Sequence, residues 1–257
     1  MPERETRGAR SLTLRVCALY PELMNIYADR GNLLVLERRC RWRGIGFELA
    51  ASGLGESLDA ERHDVFYIGG GQDRDQWLCA EDLIEHKRDG LRAAAASNAV
   101  VLGVCGGYQL LGRAYTLGDQ TIEGVGLLDV TTVREDGPRL IGNAAIQTRL
   151  DGDADEREAR ILAGFENHGG RTSLGSGQAP LGRVLRGNGN DGRSGFEGAR
   201  SGNTIGTYLH GPLLPKNVWF ADWLIAAALA VAVDQLAPLD DALEHEAHRG
   251  ARAAAGV

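Results

Sequence analysis

Cys105 stands in AVVLGVCGGYQLLG, residues 99–112, where an apolar run meets a cysteine, two glycines and a helix-like segment. A side chain at such a strand-to-helix turn is pushed out at the C-terminal edge of the sheet, where open α/β folds bind ligands. Gly103 and Gly107 flank the cysteine by two residues on either side, removing Cβ atoms that would crowd the turn. Amides at the start of the following helix favour the thiolate, the form that attacks. The same amides can receive the oxyanion formed when a carbonyl is attacked. The chemistry implied is nucleophilic attack on a carbonyl carbon. Cys17, Cys40 and Cys79 sit in ordinary periodic segments without this setting, and read as core or surface thiols.

A second glycine run ends the apolar stretch of DVFYIGGGQD, residues 64–73. Two strands of a parallel sheet that both end in glycine turns place those turns on one edge. The amides of Gly69–Gly71 then face the cysteine and complete an oxyanion hole; the rivals are a phosphate loop or a plain turn. Neither GxxxxGK[ST] nor GxGxxG is present, which weakens the nucleotide reading. The general base must be a histidine from elsewhere. His245 and His248 lie in the last stretch of chain, and His63 and His86 in polar surroundings. His210 closes TIGTYLHG, so it shares the edge with Cys105 if that strand runs parallel, giving a Cys–His pair. His168, in ENHGG, is the fallback base, or else a contact for substrate or partner.

The elements that must position these groups alternate in type. Residues 12–19, 47–51, 65–68 and 99–104 read as strands, and 32–42, 82–96 and 109–115 as helices. Alternation of this kind gives βαβ units around a mostly parallel central sheet flanked by helices, an α/β fold. Beyond Gly124 the pattern is richer in strands, at 125–133, 141–150 and 204–209, followed by a helix at 217–233. Gly187 to Gly202 is so rich in Gly, Asn and Asp that it predicts a hairpin turn or a mobile loop. One domain over 11–238 is expected, with a polar tail at 1–10 and an Ala/Glu-rich tail at 239–257.

A net charge of −7 over 257 residues argues against a general nucleic-acid footprint. Four scattered cysteines without CxxC spacing suit neither a zinc site nor a disulfide scaffold, so a reducing cytoplasm is expected, with no metal and no cofactor. The first residues lack the apolar core of a signal peptide, and the longest apolar stretch, 223–233, is too short to span a bilayer.

GVCGGYQLLG, with IGGGQD upstream and GTYLHG downstream, resembles the class I, flavodoxin-like glutamine amidotransferases. YPELMNIYADRGN and GFENHGGRT narrow the resemblance to the cobyric-acid-synthase-like branch, and within it to the glutaminase subunits of lipid II isoglutaminyl synthases. The resemblance implies Cys105 as nucleophile, His210 as base and the Gly70 and Gly106 amides around the oxyanion. It implies Arg139, in PRLIGN, as the clamp on the glutamine α-carboxylate, with Gln109 a weaker candidate for substrate contact. A guanidinium suits that role because it grips a carboxylate with two hydrogen bonds. It further implies ammonia delivery to a Mur-ligase-like, ATP-using partner (MurT), which amidates the D-glutamate of lipid II. Many class I glutaminases carry a glutamate two residues after the histidine. Here Pro212 and Leu213 follow Gly211, so no local acid orients His210. A glutaminase module for cobyric or cobyrinic acid, a thiol hydrolase of similar build, and a non-catalytic scaffold are the alternatives.

Overall fold

In a computed structural model the described residues are 12–26, 29–150 and 159–257. The predicted N-terminal tail lies outside them. Apolar β-branched and large side chains dominate the first strands, and these assemble into a central six-stranded sheet. Its members are β1 (Thr13–Leu19), β2 (Gly46–Ser52), β3 (Val65–Ile68), β4 (Val100–Val104), β13 (Ala199–Ser201) and β14 (Thr204–Thr207). The order is β13-β14-β4-β3-β1-β2, with every pair parallel except β13–β14. β3 and β4 are buried throughout, as strands covered on both faces must be. The helices flanking this sheet include α1 (Arg30–Trp42), α2 (Asp73–Asp82), α3 (Arg88–Ala96), α5 (Leu213–Lys216) and α6 (Val218–Ala228).

The second half is strand-rich, as expected. β5 (Ala114–Leu117), β6 (Gln120–Glu123), β7 (Val130–Arg134) and β10 (Gly170–Leu174) make one four-stranded sheet in the order β10-β7-β5-β6. β8 (Leu140–Thr148), β9 (Arg160–His168), β11 (Gly182–Arg186) and β12 (Phe196–Glu197) make another, antiparallel, in the order β12-β11-β8-β9.

Several boundaries depart from the sequence reading. The helix after Cys105, α4 (Gly106–Leu111), stops at Gly112, and Ala114 already belongs to β5. Leucines at 110 and 111 gave that segment a helical period, but Gly112 and the β-prone AYTL end it. The segment read as one helix from Asp82 contains a π-helical turn, Leu83–Lys87, where the Lys87 ammonium turns inward to Asp82. The strand expected at 125–133 is confined to Val130–Arg134, since Val125–Leu128 instead hydrogen-bond back to residues 110–112. The helix at 217–233 ends at Ala228. Gly187–Gly202 is neither a lone hairpin nor a loose loop, because it contains β12 and β13.

The segment read as a C-terminal tail is a 14-residue helix, α7 (Ala242–Ala255), closed by Gly256 at φ 80°. Its charge-rich sequence hides the anchors. Arg39, buried in α1, binds Asp222 of α6 and Asp241 at the start of α7. Asn143 of β8 donates to the Ala254 carbonyl, and the Lys216 carbonyl of α5 meets the His248 ring. The last helix thus braces both the strand that follows Arg139 and the helix that follows His210. No helix among the described residues is long and apolar enough to cross a membrane.

Candidate active site

The turn at Cys105 forms as its glycines predict. β4 ends at Val104, and Cys105 takes φ 54° and ψ −107°, a left-handed conformation that disfavours a side chain. Gly107 must lack a Cβ, since one there would lie 2.3 Å from the Ile68 carbonyl oxygen at the end of β3. That close approach presses the two glycine turns together, and the Gly107 amide donates to the Gly69 carbonyl at 3.1 Å.

β14 runs parallel to β4 with Thr207 opposite Val104, so their C-terminal ends share one edge. The Cys105 amide donates to the Thr207 carbonyl at 2.8 Å. His210 lies three residues beyond that carbonyl, buried, with its backbone bridged in both directions to Phe165 of β9. The expected condition for the pair, a parallel β14, is met.

Arg139 sits at the exposed rim just before β8. Its Nε donates to the Asn167 side-chain oxygen and its Nη2 to the Asn167 carbonyl, both at 2.7 Å. Its positive charge reaches inward, favouring the Cys105 thiolate and disfavouring protonation of His168 and His210. Gln109 is buried in α4. Its Nε2 donates to the Tyr208 hydroxyl at 3.1 Å and its Oε1 accepts from Gln76 at 2.7 Å, so both ends are engaged within the protein. His168 stacks on the Tyr208 ring at 3.6 Å between centroids, with Nδ1 2.8 Å from the Gly170 carbonyl. Both are buried, and together they form a wall beside the Cys105–His210 edge.

Two features were not legible beforehand. The Gly70 amide, expected to face an oxyanion, donates instead to a carboxylate oxygen of Asp29 at 2.9 Å. Asp29 occupies the N-cap position of α1 without capping it; Asn25 accepts the Arg30 amide in its stead. An aspartate diverted from a cap it could make is a signal that sequence reading alone treats as ordinary capping. The second feature is Glu197 of β12, fully buried and hydrogen-bonded to Thr207 and Tyr208.

The electrostatics also depart from expectation. Burial, then the Asp29 charge, pushes the Cys105 thiol up to about 12, against the pull of the Gly106 amide and Arg139. Burial, Lys216 and Arg139 push His210 down to about 4. Both shifts favour the neutral forms, a thiol at Cys105 and an imidazole at His210. Burial of Cys105 outweighs the pull of the six-residue helix, against the thiolate expected from the helix terminus. Asp29 itself is pushed up to about 6 by burial, which the Gly70 amide only partly counters.

Comparison with known proteins agrees with this architecture. The family model for the CobB/CobQ-like glutamine amidotransferase domain matches residues 15–218. The GatD subunit of the glutamine-hydrolysing lipid II isoglutaminyl synthase of Streptococcus pneumoniae is 37% identical over 217 residues, 84% of this chain and 80% of that protein. Its counterpart from Staphylococcus aureus is 38% identical over 206 residues, 80% of each. Among solved structures, PurLQS from Thermotoga maritima superposes with a TM-score of 0.55 at 21% identity, covering 77% of this chain and 87% of that one. A glutamine amidotransferase of the same organism gives 0.51 at 17%, covering 95% and 94%.

Proposed function

The chain belongs to the CobB/CobQ-like glutamine amidotransferase family, and from that premise we propose that it hydrolyses glutamine for a lipid II amidating complex, through Cys105 and His210. The observation that carries the catalytic part is the shared edge: a strained cysteine ends β4, the histidine follows the neighbouring parallel strand, and the Cys105 amide ties the two at Thr207.

Arg139 holds the α-carboxylate of glutamine at the rim while the side-chain amide reaches Cys105. Because both shifts favour the neutral forms, the thiol proton passes to His210 as sulfur attacks the carboxamide carbon. The C–S bond forms and the carbonyl electrons move to oxygen. The Gly106 amide meets that oxyanion, joined by the Gly70 amide once Asp29 releases it. Imidazolium His210 protonates the departing nitrogen, the C–N bond breaks, and ammonia leaves behind a γ-glutamyl thioester. Water, deprotonated by His210, then cleaves the thioester to glutamate and restores the thiol. Gln109 supports the wall of the site rather than touching substrate.

Ammonia passes to a Mur-ligase-like, ATP-dependent subunit of the MurT type, which amidates the D-glutamate of lipid II. That assignment rests on the extent of the likeness to the two GatD subunits. Such work places the complex at the cytoplasmic face of the membrane, where the partner's lipid-linked substrate lies. A cobyric acid synthase of Pelotomaculum thermopropionicum is 40% identical over only 131 residues, 24% of its own length, so cobyric acid amidation is the weaker reading. The test is amidation of lipid II by the chain with its synthetase partner and ATP. Cys105→Ala abolishes the glutamine-dependent reaction and leaves the ammonia-dependent one intact. Ammonia release from glutamine by that variant would refute the nucleophile.

A further inference from the structure

The base lacks the acid that many relatives place two residues after it, yet its strand is held by a carboxylate from elsewhere. We infer that Glu197 is the positioning residue of this site, fixing the base against the nucleophile through the Thr207 hydroxyl and the Tyr208 amide. This rests on the Cys105–His210 reading above.

Glu197 is fully buried, and its hydrogen bonds converge on the two residues that lead from β14 toward His210. The Tyr208 amide donates to its Oε1 at 2.6 Å, and the Thr207 hydroxyl donates to the carboxylate at 3.0 and 3.1 Å from the two oxygens. The same hydroxyl oxygen accepts the Leu209 amide at 3.0 Å. One side chain therefore sets three consecutive residues, the last adjacent to His210. Thr207 is also the residue whose carbonyl accepts the Cys105 amide. Nucleophile and base thus hang from one residue, and Glu197 holds that residue still.

Glu197 is itself held. The Gly198 amide donates to the Asn190 side-chain oxygen at 2.8 Å, and the Asn190 Nδ2 returns a bond to the Gly198 carbonyl at 3.0 Å. Buried Glu166 grips the turn before Asn190 through the amides of Asn188 and Gly189 and the Asn188 side chain. The chain of contacts runs from β9, where Asn167 and His168 stand, to the strand end before His210. Burial, with the Glu166 charge behind it, pushes the Glu197 carboxyl up to about 8, while the Tyr208 amide and the Thr207 hydroxyl pull the other way. Glutamine has the same shape and can accept the Tyr208 amide and bond Thr207. Alanine can do neither, and leaves a buried amide and a buried hydroxyl without a partner.

The experiment measures glutamine hydrolysis and labelling of Cys105 by a diazoketone analogue of glutamine, on the full chain with its synthetase partner. The variants are Glu197→Gln, Glu197→Ala, Thr207→Val, Cys105→Ala and His210→Ala. Misplacement of catalytic groups by about 1 Å costs up to roughly a hundredfold. Glu197→Ala and Thr207→Val should each lower kcat at least roughly tenfold with KM moved by less than about threefold. Glu197→Gln should keep kcat within about threefold of the parent, the rescue by shape that a purely charged role forbids. Thr207→Val keeps the volume and decides the matter if Glu197→Ala does not fold. The inference is overturned if folded Thr207→Val or Glu197→Ala retains parental kcat, or if Glu197→Gln loses as much as Glu197→Ala. If Cys105→Ala or His210→Ala still hydrolyses glutamine, the underlying pair is wrong. If both are inactive while Thr207→Val is not, only the positioning role fails.

Discussion

Replacing Asp29 by asparagine should make Cys105 more reactive. Asp29 is fully buried, and it flanks the same glycine as Cys105. A Cβ on Gly70 would lie 3.3 Å from the Asp29 carboxylate oxygen and 3.4 Å from the Cys105 Cβ. Like charges roughly 6 Å apart in a medium of effective dielectric constant about 20 repel by about 3 kcal/mol. That corresponds to about a hundredfold in thiolate population. Asparagine removes the charge and still accepts the Gly70 amide, so the turn keeps its shape. The assay is iodoacetamide alkylation at pH 8, with the modified residue identified by peptide mass. Cys17, Cys40 and Cys79 are buried and serve as internal controls. Asp29→Asn should be alkylated at Cys105 at least roughly tenfold faster than the parent, allowing for relaxation around the site. The pH dependence has a definite sign. Asp29 carries its charge only above about 6, so the difference between parent and variant should shrink as pH falls through 6. Equal rates at pH 8, slower alkylation of the variant, or a ratio that grows toward acid would each refute the electrostatic account.

Two other substitutions probe the frame and the rim. Arg39→Met leaves Asp241 without its ion-pair partner while Asp222 keeps Arg43, and should lower stability by about 1–3 kcal/mol, read as a shift in urea midpoint. A change below about 1 kcal/mol would mean that α7 is held by other contacts. Arg139→Ala should raise the KM for glutamine at least roughly tenfold and slow Cys105 alkylation by iodoacetamide, since its charge favours the thiolate, whereas Arg139→Lys should restore alkylation but only part of the KM, since an ammonium cannot grip a carboxylate in a fork. Unchanged KM in the alanine variant would remove Arg139 from substrate binding.

The α/β frame was legible because buried parallel strands leave continuous apolar runs, as in VFYI and VVLGV, and because glycines mark the turns that follow them. Cys105 could be singled out for the same reason. The short helix after it was misjudged, since Leu110 and Leu111 carry a helical period into a segment that tertiary pairing makes a strand. β9 and β10 escaped notice because GFENHGGRT interleaves polar residues that are satisfied inward: Glu166 on a turn, His168 on Tyr208, Thr172 on the Tyr208 hydroxyl. Glu197 could not be found by spacing. It precedes His210 by more than a strand and acts through one backbone amide and one hydroxyl, and no local pattern announces that kind of support. Asp29 was hidden by an ordinary appearance, an acid at the start of a helix.

The left-handed backbone at Cys105 has a consequence for anyone engineering this protein. A side chain there carries a conformational penalty on the order of 1 kcal/mol that glycine would not. Relief of that strain offsets part of what Cys105→Gly loses in packing and in the added freedom of the unfolded chain, so melting temperature discriminates weakly at this position. Libraries built on this scaffold have to be sorted there by turnover, because heat resistance does not report on the thiol.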